Sequence, residues 1–419
     1  MTQFMSDNKL LDTFQSGFRS GHSTTTALLN VTDELNLAID RGLVSLLVLL
    51  DFSKAFDSVN YQVLLSKLSK FNFSASAISW FRSYLFDRQQ CVSLESKTSN
   101  FCAQVSGVPQ GSVLGPLLFS LYLQDLSDCL SFSSYHLYAD DLQIYLSSKV
   151  SDWPTAVHHI NHDLTMIESW ASDNFLNLNP DKCQCLVIGM PKSVARVLNM
   201  NADHLSVQLS SKSIPYERES VRNLGVLFDS SLSWHHHTTF ICNKIYSCLH
   251  PLKRLKYILP QSIKAKLVES LISPVADYCD VLYDGFTQLL SNKLQRSFNH
   301  CIRFIFNKKS REQITPMLKQ LSWLRLTDRR SLHSLTLLHK LIYSSDTLPG
   351  YLSSRVTLLQ SERNGPLLLI PRCQTAACSN HFFTRAPREW NQLPKEIRST
   401  TSNKKFKQLV HEHFLLSPP

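Results

Sequence analysis

Glycine is scarce in this chain, with eleven in 419 residues. That excludes a glycine-patterned fibre or a flexible linker array. Long apolar runs are also missing. The most apolar stretch, Leu43–Leu50, is eight residues long and ends on Asp51, far short of the ~20 residues a membrane-spanning helix needs. The start, MTQFMSDNKLLDTFQ, has no basic segment followed by an apolar one, so no secretory signal is read there. The expectation is a soluble intracellular protein, in the cytoplasm and/or nucleus. In that compartment the eleven cysteines are free thiols, and the sequons at Asn30 and Asn72 carry no glycan. Cysteine spacing of the zinc-finger kind is absent too. His235, His236, His237, Cys242, Cys248 and His250 form one loose group, and Cys373, Cys378 and His381 another. Neither has the short spacing of a zinc finger or knuckle, so no zinc is expected. No internal repeat or low-complexity segment appears.

Acidic charge is what the later part lacks. Residues 1–240 hold 16 Lys/Arg against 22 Asp/Glu, while residues 241–419 hold 27 against 11. A mildly acidic region joined to a basic one suggests that the second grips a polyanion, against the plainer reading of a solvated basic surface. A hydrophobic content of 43% supplies core for two or three domains.

Periodicity gives the elements. From Ser23, apolar residues Leu28, Val31, Leu35, Ala38 and Ile39 share one helical face, with Gly42 as the stop. Leu43–Leu50 suits a strand buried on both faces. Tyr61–Phe71 and Ser76–Arg88 read as helices, and Cys91–Leu94 with Phe101–Val105 as a hairpin around SKTSN. Pro116 is placed to start a helix over LLFSLYLQDL. YHLYADDLQIYLSS reads as strand, tight turn, strand, and Pro154 opens another helix. Short strands follow at Leu176–Leu178, Cys185–Ile188 and Leu224–Leu227. Beyond Ser230 the pattern is helical and basic: Ile241–Tyr257, Ser262–Tyr283 with a bend near Pro274, Gln288–Asn307 and Arg329–Tyr343.

Two carboxylate positions stand out. Asp51 ends an apolar strand, and Asp140 and Asp141 sit at a hairpin tip. Adjacent carboxylates repel, so a rigid apolar tip carrying two is costly unless a cation neutralises them. An ordinary Asp-Asp turn is the competing explanation. Hard oxygen ligands suit Mg²⁺, which keeps waters and accepts phosphate oxygens. Two such ions ~3.5–4 Å apart stabilise both oxygens of an in-line phosphoryl displacement. Gly107, Gly111 and Gly115 cluster within nine residues of a chain that otherwise avoids glycine. Unusual backbone geometry or close backbone approach is expected there.

Taken in order, LLVLLDFSKAFDSVN, SGVPQGSVLGPLLF and LYADDLQIY resemble the three central motifs of reverse transcriptases. QSGFRSGHST upstream, and LNPDKCQCLVIG and NLGVLFDSSLSW downstream, resemble flanking blocks of the non-LTR retrotransposon (LINE) class, especially its jockey-like members. The likeness runs on through LQRSFNHCIRFIF and TRAPREWNQLP. It implies an α+β right-hand polymerase fold: partial fingers, a palm with an antiparallel sheet, a helical thumb and a basic helical C-terminal extension. The implied domains are 1–229 for partial fingers and palm, 230–300 for the thumb and 301–419 for the extension. The upstream endonuclease and part of the fingers are read as absent.

The resemblance also implies roles. Asp51, Asp140 and the Phe52 carbonyl would hold two Mg²⁺ ions, Mn²⁺ being possible, with Asp141 as a supporting carboxylate. Lys54 and Ala55 would offer backbone N–H groups to the triphosphate of a dNTP, and Phe56 would be the steric gate against a 2′-hydroxyl. Gly107, Pro109, Gln110 and Gly111 would line template and nucleotide. Lys182 would sit near the leaving pyrophosphate, Arg19 with Gln15, Gly17 and Phe18 would position template or nucleotide, and Leu224 and Gly225 would form the primer grip. The implied reaction is RNA-directed addition of dNMP to a DNA primer 3′-hydroxyl, with RNA template, DNA primer and dNTPs as partners. The rival is a catalytically inactive, truncated or domesticated nucleic-acid-binding relic. An RNA-synthesising polymerase is the further alternative, disfavoured by Ala139 in YADD and by Phe56.

Overall fold

The computed structural model describes the chain except residues 201–204, 310, 345–347, 362–364 and 417–419. It has two compact units, both assembled from separated stretches. The first comprises Met1–Ser23, Ser45–Val187 and Arg196–Glu217; the second comprises Thr24–Val44, Ile188–Ala195 and Arg218–Pro419.

The first unit is built on a four-stranded sheet of β1 (Val44–Leu50), β2 (Ser134–Tyr138), β3 (Asp141–Ser148) and β4 (Gln184–Ile188), in the order β2-β3-β1-β4. β1 lies inside the sheet and is buried along almost its whole length. That place explains why its sequence is apolar but for Ser45 and does not alternate. β2 and β3 pair antiparallel, with Leu137 opposite Leu142 and Tyr138 opposite Asp141. Ala139 and Asp140 are left as a two-residue turn, with Ala139 held at φ 58. Ser45 near the start of β1 hydrogen bonds Ser147 near the end of β3 (Oγ–Oγ 2.7 Å), so these two strands also run antiparallel. The helix Trp153–Asp173 packs on the sheet through Trp153, Val157, Ile160, Leu164 and Ile167, all buried. Beside it, helices Tyr61–Lys70, Ala75–Leu85 and Leu114–Tyr122 pack together.

The second unit is mostly helical. His235–Arg254 packs against Gln288–Ile305, and Leu326–Tyr343 against both Phe382–Gln392 and Asn403–Leu416. The segment Gln261–Asp277 is one bent rod: a π-turn over Val268–Ile272 falls just before Pro274, which cannot continue the hydrogen-bond ladder. Helix Thr24–Asp40 also belongs here and contacts Ala376–Ser379 and Phe382–Gln392. Its Asp33 is buried against Arg355 and His381. Among the described residues no helix is long and apolar enough to cross a membrane.

Several sequence expectations shift. The hairpin after residue 88 turns at Glu95–Ser96: Ser93–Leu94 pairs with Lys97–Thr98, and Gln89–Gln90 with Cys102–Ala103. The polar SKTSN therefore supplies strand as well as loop. Leu176–Leu178 is not a strand but a single bridge, Leu178 to Phe52. Leu224–Leu227 is not a strand either. β5 (Val221–Asn223) and β6 (Val226–Phe228) flank Leu224 and Gly225, which form the turn at φ 42 and 84. Ser262–Tyr283 is continuous helix only to Asp277, followed by a separate 3-10 turn at Asp280–Leu282. Pro191–Leu198 had no reading in the sequence, and after residue 370 only a helical extension as a whole was expected, with no single helix delimited.

Candidate active site

The site grows from the antiparallel pairing in the first unit. Since Ser45 meets Ser147 at one end of the pair, the other ends carry Asp51, just past β1, and Asp141, the first residue of β3. Asp140 occupies the adjoining turn. Three carboxylates thus gather at one end of the sheet, and each affects the others. Asp141, although the residue is exposed, is pushed up to about 6 by partial desolvation and by the charges of Asp140 and Asp51. Asp140 is also raised, chiefly by desolvation and by Asp51, against the lowering effects of a backbone hydrogen bond and Lys182. Asp51 Oδ1 is shielded from solvent and has no hydrogen-bond partner among the described residues. Lys182 Nζ stands 3.4 Å from it, at ion-pair range, and its side chain is 64% exposed. Mutual repulsion among three carboxylates, one with a shielded oxygen that meets only the exposed Lys182 ammonium, fits a hard divalent cation. The backbone around Asp51 is fixed from the other side: Asn179 N–H donates to the Asp51 carbonyl (2.8 Å), and Ser53 N–H to that of Asn177 (2.7 Å). Phe52 is buried between them.

The turn carrying Asp140 is clamped by the segment around Gln15. Ser16 N–H donates to Leu137 O (2.8 Å), and the buried Gln15 Oε1 accepts from both Ala139 N–H (3.1 Å) and Gly17 N–H (2.7 Å). A Cβ at Gly17 would collide with the Ala139 backbone, 2.8 Å from its Cα. Phe18 reaches Phe56 edge-on at 5.9 Å. Arg19 Nη1 donates to Asp12 O (2.8 Å), a local tie.

Next to Asp51, Lys54 adopts a left-handed conformation (φ 48) ahead of the short helix Ala55–Ser58, and its side chain is exposed. The Phe56 ring is half-buried and stacks on Phe119, with centroids 4.1 Å apart. The glycine-rich loop is stitched to this turn. Gly107 N–H donates to Val59 O (2.8 Å), Val108 N–H to Phe56 O (2.9 Å), and Gln110 Nε2 to Asp57 Oδ1 (2.8 Å). Both reasons for glycine are met here. Gly107 has φ +88, and a Cβ would lie 2.9 Å from the Asp57 backbone; Gly111 has φ +77 with open space around it. Pro109 and Gln110, with Lys54, Asp57, Arg88 and Gln90, line an open cleft of about 720 Å³.

The reverse transcriptase (RNA-dependent DNA polymerase) family profile matches residues 1–228. The chain belongs to that family. Its relatives place it with the non-LTR retrotransposon, LINE-type members. A probable RNA-directed DNA polymerase from transposon BS of Drosophila melanogaster is 26% identical over 333 residues, covering 73% of this chain and 34% of that protein. The RNA-directed DNA polymerase from mobile element jockey of the same fly is 27% identical over 297 residues, covering 68% and 31%. The chain thus spans about a third of the length of the curated relatives it matches. Telomerase from Candida albicans, solved with a fragment of telomeric RNA, aligns at a TM-score of 0.39 and 11% identity, covering 78% of this chain and 50% of that one. That likeness is too loose to bear on function.

Several residues at the edge of this candidate site were not singled out in the sequence. Asp57, inside the first motif but given no role there, and Arg88 and Gln90, outside every motif, line the cleft. Leu224 and Gly225 belong to the second unit, where Tyr278 Oη donates to Leu224 O (2.7 Å) and holds a leucine in a conformation it rarely adopts. The loose cysteine and histidine groups are tied up in other ways. His237 Nδ1 accepts from Leu227 N–H (3.3 Å), His381 Nδ1 is 2.9 Å from Asp33, and Cys373 and Cys378 Sγ atoms are 2.8 Å apart. Among the described residues, Asp277, Asp280 and His333 alone bring three ligand atoms within 4.8 Å. Their partners are already protein groups, Arg329 on Asp277 (2.7 and 2.5 Å) and His333 on Asp280 (2.7 Å), so the cluster is read as an ion-pair network. The three carboxylates at the end of the sheet are spaced more widely than this.

Proposed function

We propose that the chain is an RNA-directed DNA polymerase that adds dNMP from dNTP to a DNA primer 3′-hydroxyl on an RNA template, releasing pyrophosphate. The observation that carries this is the convergence of Asp51, Asp140 and Asp141 at one end of the sheet, with their charges uncompensated except by Lys182. Asp51, Asp140, Asp141 and the Phe52 carbonyl are the groups that would hold Mg²⁺ or Mn²⁺, which would supply Lewis-acid stabilisation of the attacking and leaving oxygens. Lys182, on a flexible exposed stem, is placed to neutralise or protonate the departing pyrophosphate. Phe56, pinned on Phe119, is the bulk that a ribose 2′-hydroxyl would meet. The loop Gly107–Gly111 brings its glycine backbone, with Pro109 and Gln110 beside it, toward template and nucleotide, and Lys54 and Ala55 present backbone N–H groups next to it. Arg19 acts with the Gln15 clamp, which sets the turn bearing Asp140. Leu224 and Gly225 present a rigid turn to the primer end. Residues 1–229 are assigned as partial fingers and palm, 230–300 as thumb and 301–419 as a basic C-terminal extension.

The test is extension of a labelled DNA primer on an RNA template by the purified chain, with and without Mg²⁺, for the parent and for Asp140→Asn. The parent is expected to extend only with metal. The variant should lose at least a thousandfold, about 4 kcal/mol of transition-state stabilisation, at an unchanged melting temperature. A folded Asp140→Asn chain that extends like the parent, or a parent that never extends, would overturn the reading.

A further inference from the structure

The second unit has a cavity of about 320 Å³ lined by Arg222, Gly225, His237, Phe240, Lys244 and Tyr278, with Ile241, Pro274 and Val275 beneath. Its polar groups are one-sided. His237 is 2% exposed, and its Nε2 has no hydrogen-bond partner among the described residues. Because Nδ1 accepts from the Leu227 N–H, a neutral ring carries its proton on Nε2, which makes that atom a buried donor with nothing to donate to. Burial and the neighbouring Arg222 hold the imidazole down to about 4, so it is neutral at physiological pH. Arg222 lies over the Phe240 ring (5.1 Å to the centroid), and Lys244 approaches the same ring (6.0 Å). No acidic side chain is among the lining residues. Tyr278 uses its hydroxyl on Leu224 O, which leaves its ring to form a wall.

A buried, unsatisfied donor is expensive unless something accepts from it. Two cations and a third donor around two aromatic rings match an acceptor-rich anion attached to a flat apolar body. We propose that this cavity binds one nucleotide, its phosphate against Arg222, Lys244 and His237 Nε2–H and its base against Phe240 and Tyr278. A nucleic-acid strand and a free nucleotide present the same chemistry, and the experiment separates them. The inference rests on the polymerase reading only for the strand as the natural source.

The experiment measures binding, not extension, so it stands even if the chain never polymerises. Fluorescence anisotropy of the full chain is read with a labelled 12-mer of single-stranded RNA or DNA, and separately with a labelled AMP, for the parent, Arg222→Gln/Lys244→Gln, Phe240→Ala and a control pair, Lys319→Gln/Lys340→Gln, that removes the same charge elsewhere. The pocket pair is expected to weaken the 12-mer tenfold or more and to lower the log–log salt slope by about 1 to 2. The control should weaken it by about threefold at most. If AMP binding alone is lost, the free nucleotide is the ligand and the site stands. A 5-iodouracil oligonucleotide should photo-crosslink to Phe240 or Tyr278 in the unaltered protein, a readout independent of how any variant folds. Pocket and control pairs that behave alike, with no crosslink in the cavity, would overturn the proposal.

Discussion

At the scale of single residues, the carboxylates and the proposed gate, Phe56, rest on different physics. Asp51, Asp140 and Asp141 were legible because charge at the end of an apolar strand is costly and so carries information. Asp57 and Arg88 were not, since an exposed polar residue beside a turn looks the same whether or not it lines a cleft. Phe56 falls between the two. It is one of 23 phenylalanines, and only the motif distinguished it, but its ring is held against Phe119 at 4.1 Å and against Phe18 at 5.9 Å. A pinned ring excludes volume because it cannot swing aside. Phe56→Val should therefore lower the preference for dNTP over rNTP by about ten- to a hundredfold, the range for a packed site distinguishing small groups. It should also cost about 1–3 kcal/mol of stability from the lost stacking. Single-nucleotide incorporation with paired dNTP and rNTP series reads the ratio, and an unchanged ratio would remove Phe56 from the gate.

At the scale of elements, the sequence showed β1, the β2–β3 hairpin and most of the longer helices before residue 344, because period and punctuation are local properties. It did not show the two-residue hairpin turn at Leu224–Gly225, because leucine at φ 42 is held there by Tyr278, 54 positions away. The glycines divide in the same way. Gly111 has positive φ and open space, whereas Gly17 has no special φ and no room, its missing Cβ facing the Ala139 backbone. Gly111→Ala should then cost about 1–2 kcal/mol of backbone strain and leave the end of the sheet in place. Gly17→Ala must push the Gln15 segment off the turn that carries Asp140, with an overpacking cost of about 1–3 kcal/mol. Its loss of primer extension should exceed anything its melting temperature explains. Thermal melts and extension rates of the two variants side by side check this. A Gly17→Ala chain that melts and extends like the parent would show that the clamp does not set the turn.

At the scale of the whole molecule, the charge asymmetry and the interleaving of the two units bear on each other. Residues 241–419 carry 27 basic against 11 acidic side chains, and residues 1–240 carry 16 against 22. Nucleic acid held by the basic region should release counterions, with a log–log salt slope of roughly −0.7 to −0.9 per phosphate contact. Six contacts imply about a thousandfold loss of affinity between 50 and 200 mM salt. Cutting the chain near Ser230 is the obvious experiment but a poor one. Helix Thr24–Asp40 belongs with the later residues, and its buried Asp33 pairs with Arg355 and His381. The cut would leave Asp33 and an apolar helix face without partners, so lost binding would report misfolding. Local periodicity gave no hint of this, because nothing within residues 24–44 says which distant segment covers them. Charge neutralisation in the full chain avoids the problem. Changing Lys253, Arg254, Lys309, Lys404, Lys405 and Lys407 to Gln, all exposed, should flatten the salt slope for labelled RNA measurably. The same number of changes at exposed Lys70, Arg82, Lys97, Lys149, Lys192 and Arg196 should leave it nearly unchanged. Equal slopes in the two sets, or a flat response in the parent, would mean that the basic region is ordinary solvated surface.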